Sequence, residues 1–462
     1  RFATSTLSLL LQGAIALDVG PDYSHPIEGQ SRKTTHNQHT KQTTDLDVDL
    51  PFSQPVTFAH WNGKGVWQNL IIKYVAEAPV FHDHRHLTFA KALDIAVLGF
   101  PYDTSTSYRP GARFGPRGIR AGSAREKKGR SYNTVWEVDP YDEGLEIVSV
   151  AHLLNEMQYL MANPHQIDCG DIPITPFDAA HAFKQMEQGY RQVLYHPTSE
   201  GNSWEHPRIV SLGGDHSIVL PILRSLKHVY GPISVIHLDS HLDTWDPYEG
   251  YTGIASNQSA ITHGTFFWHA SREGCISKGT SVHGGLRTKL FVSRSGVVLR
   301  MNTIGIIKDP KDYEIDQNVG FTIIEAHEID DIGMSGIIGK VRSVVKDTPT
   351  YLSIDIDGEI AFPLLETHQT LISPISLDPS IAPATGTPES GGWTTRELKR
   401  FIKGLEGVNL VGADVVEVSP PYDSVAETTS IAAADLIVDI LASMAKLKTG
   451  PKAKTATSKD EL

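Results

Sequence analysis

The chain has 462 residues, of which 40% are hydrophobic and 21% charged, and its formal net charge at pH 7 is −13. This is the composition of a globular protein long enough for one large α/β domain or two smaller ones. The acidic balance argues against a nucleic-acid partner, which would select a basic surface, and favours cationic small molecules and metal ions. Only two cysteines are present, Cys169 and Cys275, which excludes a disulfide framework and a cysteine-rich zinc or iron–sulfur site but leaves one bridge open.

The chain begins with features of a targeting segment. Residues 7–15 are mostly apolar, too short to span a bilayer, and overlap an Ala-x-Ala sequence of the kind that precedes a signal-peptide cleavage site. We therefore expect residues 1–16 to be a signal peptide whose start is incomplete, because the first residue is Arg1 and not Met. We expect residues 17–90 to be a mobile segment, since its first part is polar and poor in core-forming side chains.

Five apolar runs farther along the chain predict buried strands. Each run is followed by turn-forming residues and usually by a helical pattern, such as residues 217–228 and 394–404. A repeated strand–loop–helix order predicts an α/β fold with a parallel sheet covered on both faces, in which ligands bind beyond the carboxyl ends of the strands. The five runs are residues 93–100, 208–212, 233–238, 350–354 and 410–416.

Three short sequences rich in acidic and histidine residues follow predicted strands. They are Gly213-Gly214-Asp215-His216-Ser217, Asp239-Ser240-His241-Leu242-Asp243 and Ser353-Ile354-Asp355-Ile356-Asp357. If Asp215 is a supporting group behind the ligands, two imidazoles and four carboxylates remain, enough for two divalent ions with bridging carboxylates. Alternate positions of an extended segment share one face, where these groups would repel one another without a cation. Taken singly, each sequence could instead be a polar strand end or a helix cap, for instance through Asp215 or Ser217.

This arrangement resembles the ureohydrolase superfamily, the arginase and agmatinase group, and within it the fungal-type agmatinases most closely. Further stretches that carry the likeness are 107–116, Thr262-His263-Gly264-Thr265, 377–379 with 384–389, and 414–418. The resemblance covers residues 91–446. It implies a three-layer α/β/α fold with a central parallel sheet.

The resemblance also implies a centre of two Mn²⁺ ions per chain. One ion would be held by His216, Asp239, Asp243 and Asp355, and the other by His241, Asp239, Asp355 and Asp357. Asp239 and Asp355 would bridge the two ions. The implied reaction is the hydrolysis of agmatine to putrescine and urea, in which a metal-bridging hydroxide attacks the guanidinium.

Three residues receive catalytic roles from the same resemblance. Asp243 would accept a hydrogen bond from the attacking hydroxide, and His263 would carry a proton to the leaving amine. Glu417, at the end of a predicted strand, is a candidate to pair with the guanidinium. The alternatives are that His263, one of 21 histidines, is structural and that a neighbouring loop satisfies Glu417.

The loop after the second acidic sequence bears on the choice of substrate. Residues 244–265 lack the Ser-Gly-Asn-x-His-Gly stretch in which arginases resemble one another, and they contain no Lys or Arg to receive a carboxylate. They do contain Asp246 and Glu249, which could receive a distal ammonium, so a small cationic guanidino substrate such as agmatine is favoured. The alternatives are guanidinobutyrate or arginine as substrate, or a catalytically impaired metal-binding relative. We expect a homo-oligomer without a nucleic-acid or membrane partner.

Three stretches exceed the length of the family pattern, near residues 148–166, 292–307 and 358–375. They are interpreted either as introns retained in the gene sequence or as surface loops, which cost little chain entropy. The third stretch begins directly after Asp357, where the family has only two residues before an Asp-Pro pair.

The end of the chain completes the targeting pattern. Residues 447–462 form a polar tail that ends in Lys459-Asp460-Glu461-Leu462, an address for retention in the endoplasmic reticulum. Together with the apolar N-terminal run it predicts the secretory pathway and the lumen of the endoplasmic reticulum. The sequon at Asn257 could then be glycosylated.

Overall fold

The computed structural model describes residues 93–126, 132–140, 166–198, 203–248, 256, 259–286, 310–359, 382–390 and 393–448. The strands within these ranges are β1 Ile95–Gly99, β2 Gln166–Asp171, β3 Arg208–Leu212, β4 Ser234–Leu238, β5 Ser281–Leu286, β6 Phe321–Glu325, β7 Thr350–Asp355, β8 Gly358–Glu359, β9 Glu389–Ser390 and β10 Leu410–Val416. The α-helices are α1 Gly115–Gly122, α2 Ala179–Leu194, α3 Val219–Tyr230, α4 Phe266–Arg272, α5 Pro310–Val319, α6 Glu328–Val345, α7 Thr395–Gly404 and α8 Thr428–Lys448.

Eight of these strands form one sheet in the order β2-β1-β3-β10-β7-β4-β5-β6, and β8 pairs with β9 in a separate ladder. All the pairings in the large sheet are parallel. Each of the five predicted apolar runs is one of its strands, namely β1, β3, β4, β7 and β10. The predicted parallel sheet is therefore confirmed, and its four central strands β3, β10, β7 and β4 all come from those runs.

Strand side chains alternate between two apolar layers, one on each face of the sheet. Ile95 and Val97 belong to a core shared with α6, α7 and α8, whereas Ala96 and Leu98 belong to a core shared with α2, α3 and α4. All four are fully buried. Because burying a side chain of Val or Leu size contributes about 1.5–3 kcal/mol, both layers hold the sheet firmly. The fold is thus the predicted three-layer α/β/α arrangement.

Capping side chains set where two of the predicted helices begin. The side chain of Asp215 accepts a hydrogen bond from the backbone of Ser217 at the start of a 3₁₀ turn, His216–Ile218, that leads directly into α3. Thr394 and Glu397 form a reciprocal capping box at the start of α7. The capping role considered for Asp215 is therefore real.

Several predictions fall outside the described residues. They concern the signal peptide, the mobile segment, the C-terminal tail, Asn257, Glu249 and the long stretches 148–165, 292–307 and 360–375. Among the helices of the described ranges, none has the length and apolar character needed to cross a membrane.

Candidate metal centre

The carboxyl ends of four neighbouring strands bring the site together. β3, β10, β7 and β4 lie side by side, and the acidic and histidine residues follow each of them at the same edge of the sheet. Gly214 allows the turn after β3 to pack closely against the backbone of Tyr102, because a Cβ at Gly214 would lie 2.1 Å from the Tyr102 carbonyl oxygen. All eight site residues predicted from the sequence lie in the described part of the chain.

The first group of ligands surrounds the Nδ1 atom of His216. This nitrogen lies 3.1 Å from one carboxylate oxygen each of Asp239, Asp243 and Asp355. On the other side of the ring, Nε2 lies 2.8 Å from the Ser353 hydroxyl, which in turn donates to Asp414. Since the serine hydrogen goes to Asp414, Ser353 accepts the Nε2 hydrogen of His216. Nδ1 therefore faces three carboxylates, and only a proton or a metal ion can occupy the space between them.

The second group forms around His241. Its Nδ1 atom lies 2.9 Å from Asp357 Oδ2 and 3.2 Å from Asp239 Oδ1. Asp357 is held by the hydroxyls of Ser240 and Thr387, at 2.7 and 3.1 Å. Asp239 thus presents one oxygen to each group, the arrangement of a bridging ligand. Asp355 meets this group differently, because its Oδ1 accepts the backbone hydrogen of Asp357 at 2.8 Å.

Burial and like charge prevent this cluster from ionising fully without a cation. Burial and the charges of Asp357 and Asp239 raise the pKa of Asp355 well above its ordinary value. Burial and the charge of Asp239 raise the pKa of Asp243 to about 6. Burial alone would lower the pKa of His216, but its three carboxylate neighbours outweigh it and raise that pKa well above the ordinary value.

The donor set fits a divalent metal. His216 Nδ1 and Asp239 Oδ2 are buried and make no hydrogen bond to any described residue. In two sets of side chains the possible ligand atoms all lie within 4.8 Å of one another, namely His216, His237, Asp239 and Asp243, and Asp239, His241 and Asp357. Imidazole nitrogen with carboxylate oxygen is ligand chemistry for divalent first-row metals. His237 joins this cluster although it was not predicted from the sequence.

A histidine–glutamate pair lies beside the ligands. His263 Nε2 accepts the backbone hydrogen of Ser107 at 3.1 Å, so its ring hydrogen is on Nδ1, which lies 3.1 Å from Glu417 Oε1. The same oxygen accepts the backbone hydrogen of His216 at 2.9 Å. Burial alone would lower the pKa of His263, but the hydrogen bond and charge of Glu417 outweigh it and raise that pKa.

The two carboxylate oxygens of Glu417 therefore differ in their contacts. Oε1 orients His263, a role that was not predicted from the sequence. Oε2 is buried and has no hydrogen-bond partner among the described residues. A buried carboxylate oxygen of this kind can accept a hydrogen bond from a cationic donor.

Asp215 and Asp246, the two acidic residues that were set apart from the ligands, have local partners. Asp215 accepts backbone hydrogens from Ser105 and Ser217, and burial together with Glu417 raises its pKa to about 7. Asp246 accepts the backbone hydrogen of Tyr248 at 2.8 Å in a turn of the loop that follows Asp243. Asp215 thus supports the turn that carries His216, as expected.

Sequence comparison finds one family along most of the chain. The Arginase family model matches residues 93–359 and 376–443. "Putative agmatinase 1" of Schizosaccharomyces pombe is 46% identical over 365 residues, which cover 77% of this chain and 78% of that protein. The guanidinobutyrase of Pseudomonas aeruginosa is 33% identical over 350 residues, which cover 76% of this chain and 86% of that protein.

Solved structures share the fold. A hypothetical agmatinase from Burkholderia thailandensis aligns with a TM-score of 0.56 at 30% identity, over 78% of this chain and 89% of its own. The proclavaminate amidino hydrolase of Streptomyces clavuligerus aligns with a TM-score of 0.59 at 26% identity, over 85% of this chain and 98% of its own.

Proposed function

The chain belongs to the arginase family and is an agmatinase-like ureohydrolase, and on this premise we propose that it hydrolyses agmatine to putrescine and urea with two Mn²⁺ ions. The observation that carries the proposal is the convergence of three carboxylate oxygens at 3.1 Å from His216 Nδ1, beside the His263–Glu417 pair. In the reaction one water is consumed and one C–N bond of the guanidino group is broken.

The proposed ligand sets are those that the family resemblance implies, and the contacts around His216 support the first of them. One ion would be held by His216, Asp239, Asp243 and Asp355, and the other by His241, Asp239, Asp355 and Asp357. The two oxygens of Asp239, one facing each group, support its bridging role. When bound, such a pair of ions lowers the pKa of water and so supplies a nucleophile near neutral pH.

The side chains around the ligands provide the remaining chemistry. Glu417 Oε2 would pair with the guanidinium and orient its central carbon. Asp243 would accept a hydrogen bond from the attacking group. His263, whose raised pKa favours the protonated form, would give its Nε2 proton to the departing amine. Ser107, which contacts that nitrogen, would have to release it as the substrate enters.

The loop that follows Asp243 supports agmatine as the substrate. It contains no Lys or Arg between residues 244 and 265, whereas Asp246 can receive the distal ammonium of agmatine. A neutralising contact of this kind favours a cation over a carboxylate.

A guanidino acid such as guanidinobutyrate is the second candidate, and Arg109 favours it. The Arg109 guanidinium lies against the rings of Tyr108 and Tyr422, at 5.1 and 5.4 Å from their centroids. The backbone of Arg109 lies near Glu417, because both face Gly386. A Cβ placed on Gly386 would lie 2.9 Å from the Arg109 carbonyl oxygen and 3.3 Å from Glu417 Oε2. The Arg109 guanidinium is a cation of this loop that could receive a distal carboxylate. The guanidinobutyrase of P. aeruginosa is among the similar proteins.

Urea release from agmatine, guanidinobutyrate and arginine, measured with Mn²⁺ present, tests the proposal. We expect the highest kcat/KM for agmatine. A higher value for guanidinobutyrate that falls in Arg109→Gln would establish the second candidate. No urea from any of the three would refute both and favour the catalytically impaired relative.

A further inference from the structure

A buried polar string runs through the sheet behind Asp239. His237 of β4 and His283 of β5 are direct partners in the parallel register, and their Nδ1 atoms lie 2.7 Å apart. His283 Nε2 lies 2.9 Å from Oδ1 of Asp316, which is carried by α5. The side chains of all three are fully buried. Two histidines and a carboxylate are therefore buried together in the interior.

Asp316 reaches the metal centre by two routes. On the first, His237 Nε2 lies 3.0 Å from Asp239 Oδ2 at the far end of the string. On the second, the Thr244 hydroxyl donates to Asp316 Oδ1 at 3.0 Å, and Thr244 directly follows Asp243. One carboxylate on a helix thus stands behind two of the proposed metal ligands.

Aromatic rings enclose the string and exclude water from it. Phe321 stacks on His283 with ring centroids 3.8 Å apart, and Phe267 packs edge-on against His237 at 4.8 Å. A buried polar group that loses its partner here costs about 1–3 kcal/mol, because no solvent can replace the lost contact. Such a network keeps one geometry when every member is satisfied.

Both ring nitrogens of each histidine face a polar atom of the string. His237 presents Nδ1 to His283 and Nε2 to Asp239, at 2.7 and 3.0 Å. His283 presents Nδ1 to His237 and Nε2 to Asp316 Oδ1, at 2.7 and 2.9 Å. Asp316 is therefore the acceptor at the end of the string, and it fixes the orientation of the His283 ring.

We propose that Asp316 is a positioning residue for the metal centre, acting on Asp239 through His283 and His237 and on Asp243 through Thr244. The proposal rests on the proposed function, because it assumes that Asp239 and Asp243 bind metal. Partners behind metal ligands typically change metal affinity or activity by about 10- to 100-fold when they are replaced.

The test compares Asp316→Asn with Glu314→Gln. Glu314 lies on the same helix, is exposed, and loses the same charge in its variant. Equilibrium dialysis with metal analysis should give Mn²⁺ binding about 10- to 100-fold weaker in Asp316→Asn and unchanged in Glu314→Gln. The electron paramagnetic resonance spectrum of bound Mn²⁺ should change only in Asp316→Asn, and kcat should fall more than KM changes.

Two further variants separate the routes. His283→Gln interrupts the histidine route and Thr244→Val the hydroxyl route, and each should weaken Mn²⁺ binding. Adding Asp316→Asn to His283→Gln should lower Mn²⁺ affinity less than Asp316→Asn lowers it in the wild-type protein, because the two residues act in series. These single variants also carry the test if Asp316→Asn does not fold.

Three results would overturn the proposal in distinguishable ways. Wild-type Mn²⁺ affinity and spectrum in folded Asp316→Asn, or in both route variants, would refute the positioning role alone. Unchanged affinity in Asp316→Asn together with loss of one ion in His237→Asn would make His237 itself a ligand. Failure of the wild-type protein to bind Mn²⁺ would refute the metal centre and this inference together.

Discussion

Loading the metal-free protein with Mn²⁺ should release protons, and the number can be worked out from the site. Without metal, the carboxylates around His216 and His241 hold the pKa of each imidazole well above its ordinary value despite burial, which favours the protonated form of both. Burial and the neighbouring charges raise the pKa of Asp355, which favours its protonated form as well. Metal ligands must be neutral imidazoles and ionised carboxylates, so filling both sites should release protons, up to one from each of these three groups.

The raised pKa values also set how Mn²⁺ affinity depends on pH. A His whose pKa is raised by folding stabilises the metal-free protein most below its unfolded pKa, and this contribution is lost as pH rises through the folded value. The raised pKa of Asp355 acts in the same direction, because its ionisation in the folded state is the unfavourable step. Apparent Mn²⁺ affinity should therefore rise with pH, by about tenfold per pH unit for each proton released.

Calorimetric titration of metal-free protein with Mn²⁺ in buffers of different ionisation enthalpy measures this number directly. His216→Ala removes one of the three groups and serves as the control, since it should release fewer protons and bind one ion weakly. A proton count near zero at pH 7, with full binding, would show that the cluster is already ionised and that the electrostatic reasoning is wrong.

Four other outcomes are expected. His263→Ala should lower kcat by about 10²- to 10⁴-fold with bound metal unchanged, and loss of metal would mean that its role is misassigned. Asp239→Asn should disturb both ions and His216→Ala mainly one, so a single ion in the wild-type protein would refute the binuclear centre. Deleting residues 358–375 should raise activity, because a displaced Asp357 can cost about a hundredfold, whereas equal activity would mark a harmless loop. We also propose retention in the endoplasmic reticulum: removing residues 459–462 should release the protein to the medium, and a cytosolic signal from an internally tagged chain would reject this.

The chain order of apolar runs was enough to predict the parallel sheet, because its central strands are continuous and buried on both faces. β5 was missed since it contains His283, Gly284 and Gly285, which weaken a strand pattern. β6 lies at the edge of the sheet, where part of its side chains are exposed, so its apolar pattern is interrupted. Both strands could be placed only once the neighbouring strand was known.

The proposed ligands could be picked out because they stand in short sequences at strand ends, but their supporting residues could not. Asp316 lies in α5 and is separated from Asp239 by two intervening elements, α4 and β5. Nothing in its own segment distinguishes it from a surface acid. Ser353 and Asp414 did appear within predicted strands, and a polar residue inside a buried run was the one available signal. Their joint role required the distances among His216, Ser353 and Asp414.

The family match bears on the stretch after Asp357. The Arginase model aligns up to residue 359 and resumes at 376, which supports our proposal that the intervening residues are an insertion. Asp357 nevertheless contacts Ser240, which precedes the gap in that match, and Thr387, which follows it. We therefore expect an insertion at this place to change catalysis through the position of Asp357, and to leave the stability of the sheet unchanged.

Backbone strain at the site links its two halves. Asp243 and Glu417 adopt left-handed conformations, with φ of 55° and 59°, and a residue other than glycine pays about 1–3 kcal/mol for such a conformation. Each is held by a backbone contact: Phe267 donates to the Asp243 carbonyl at 3.2 Å, and Glu417 donates to the Gly214 carbonyl at 2.9 Å. Both contacts come from segments packed in the buried layers, so the sheet and its helices sustain the strain. The strained backbone orients the side chains of Asp243 and Glu417 toward the site. Glycine would adopt either conformation without strain, but it would supply no carboxylate, which explains why acidic residues stand at these two positions.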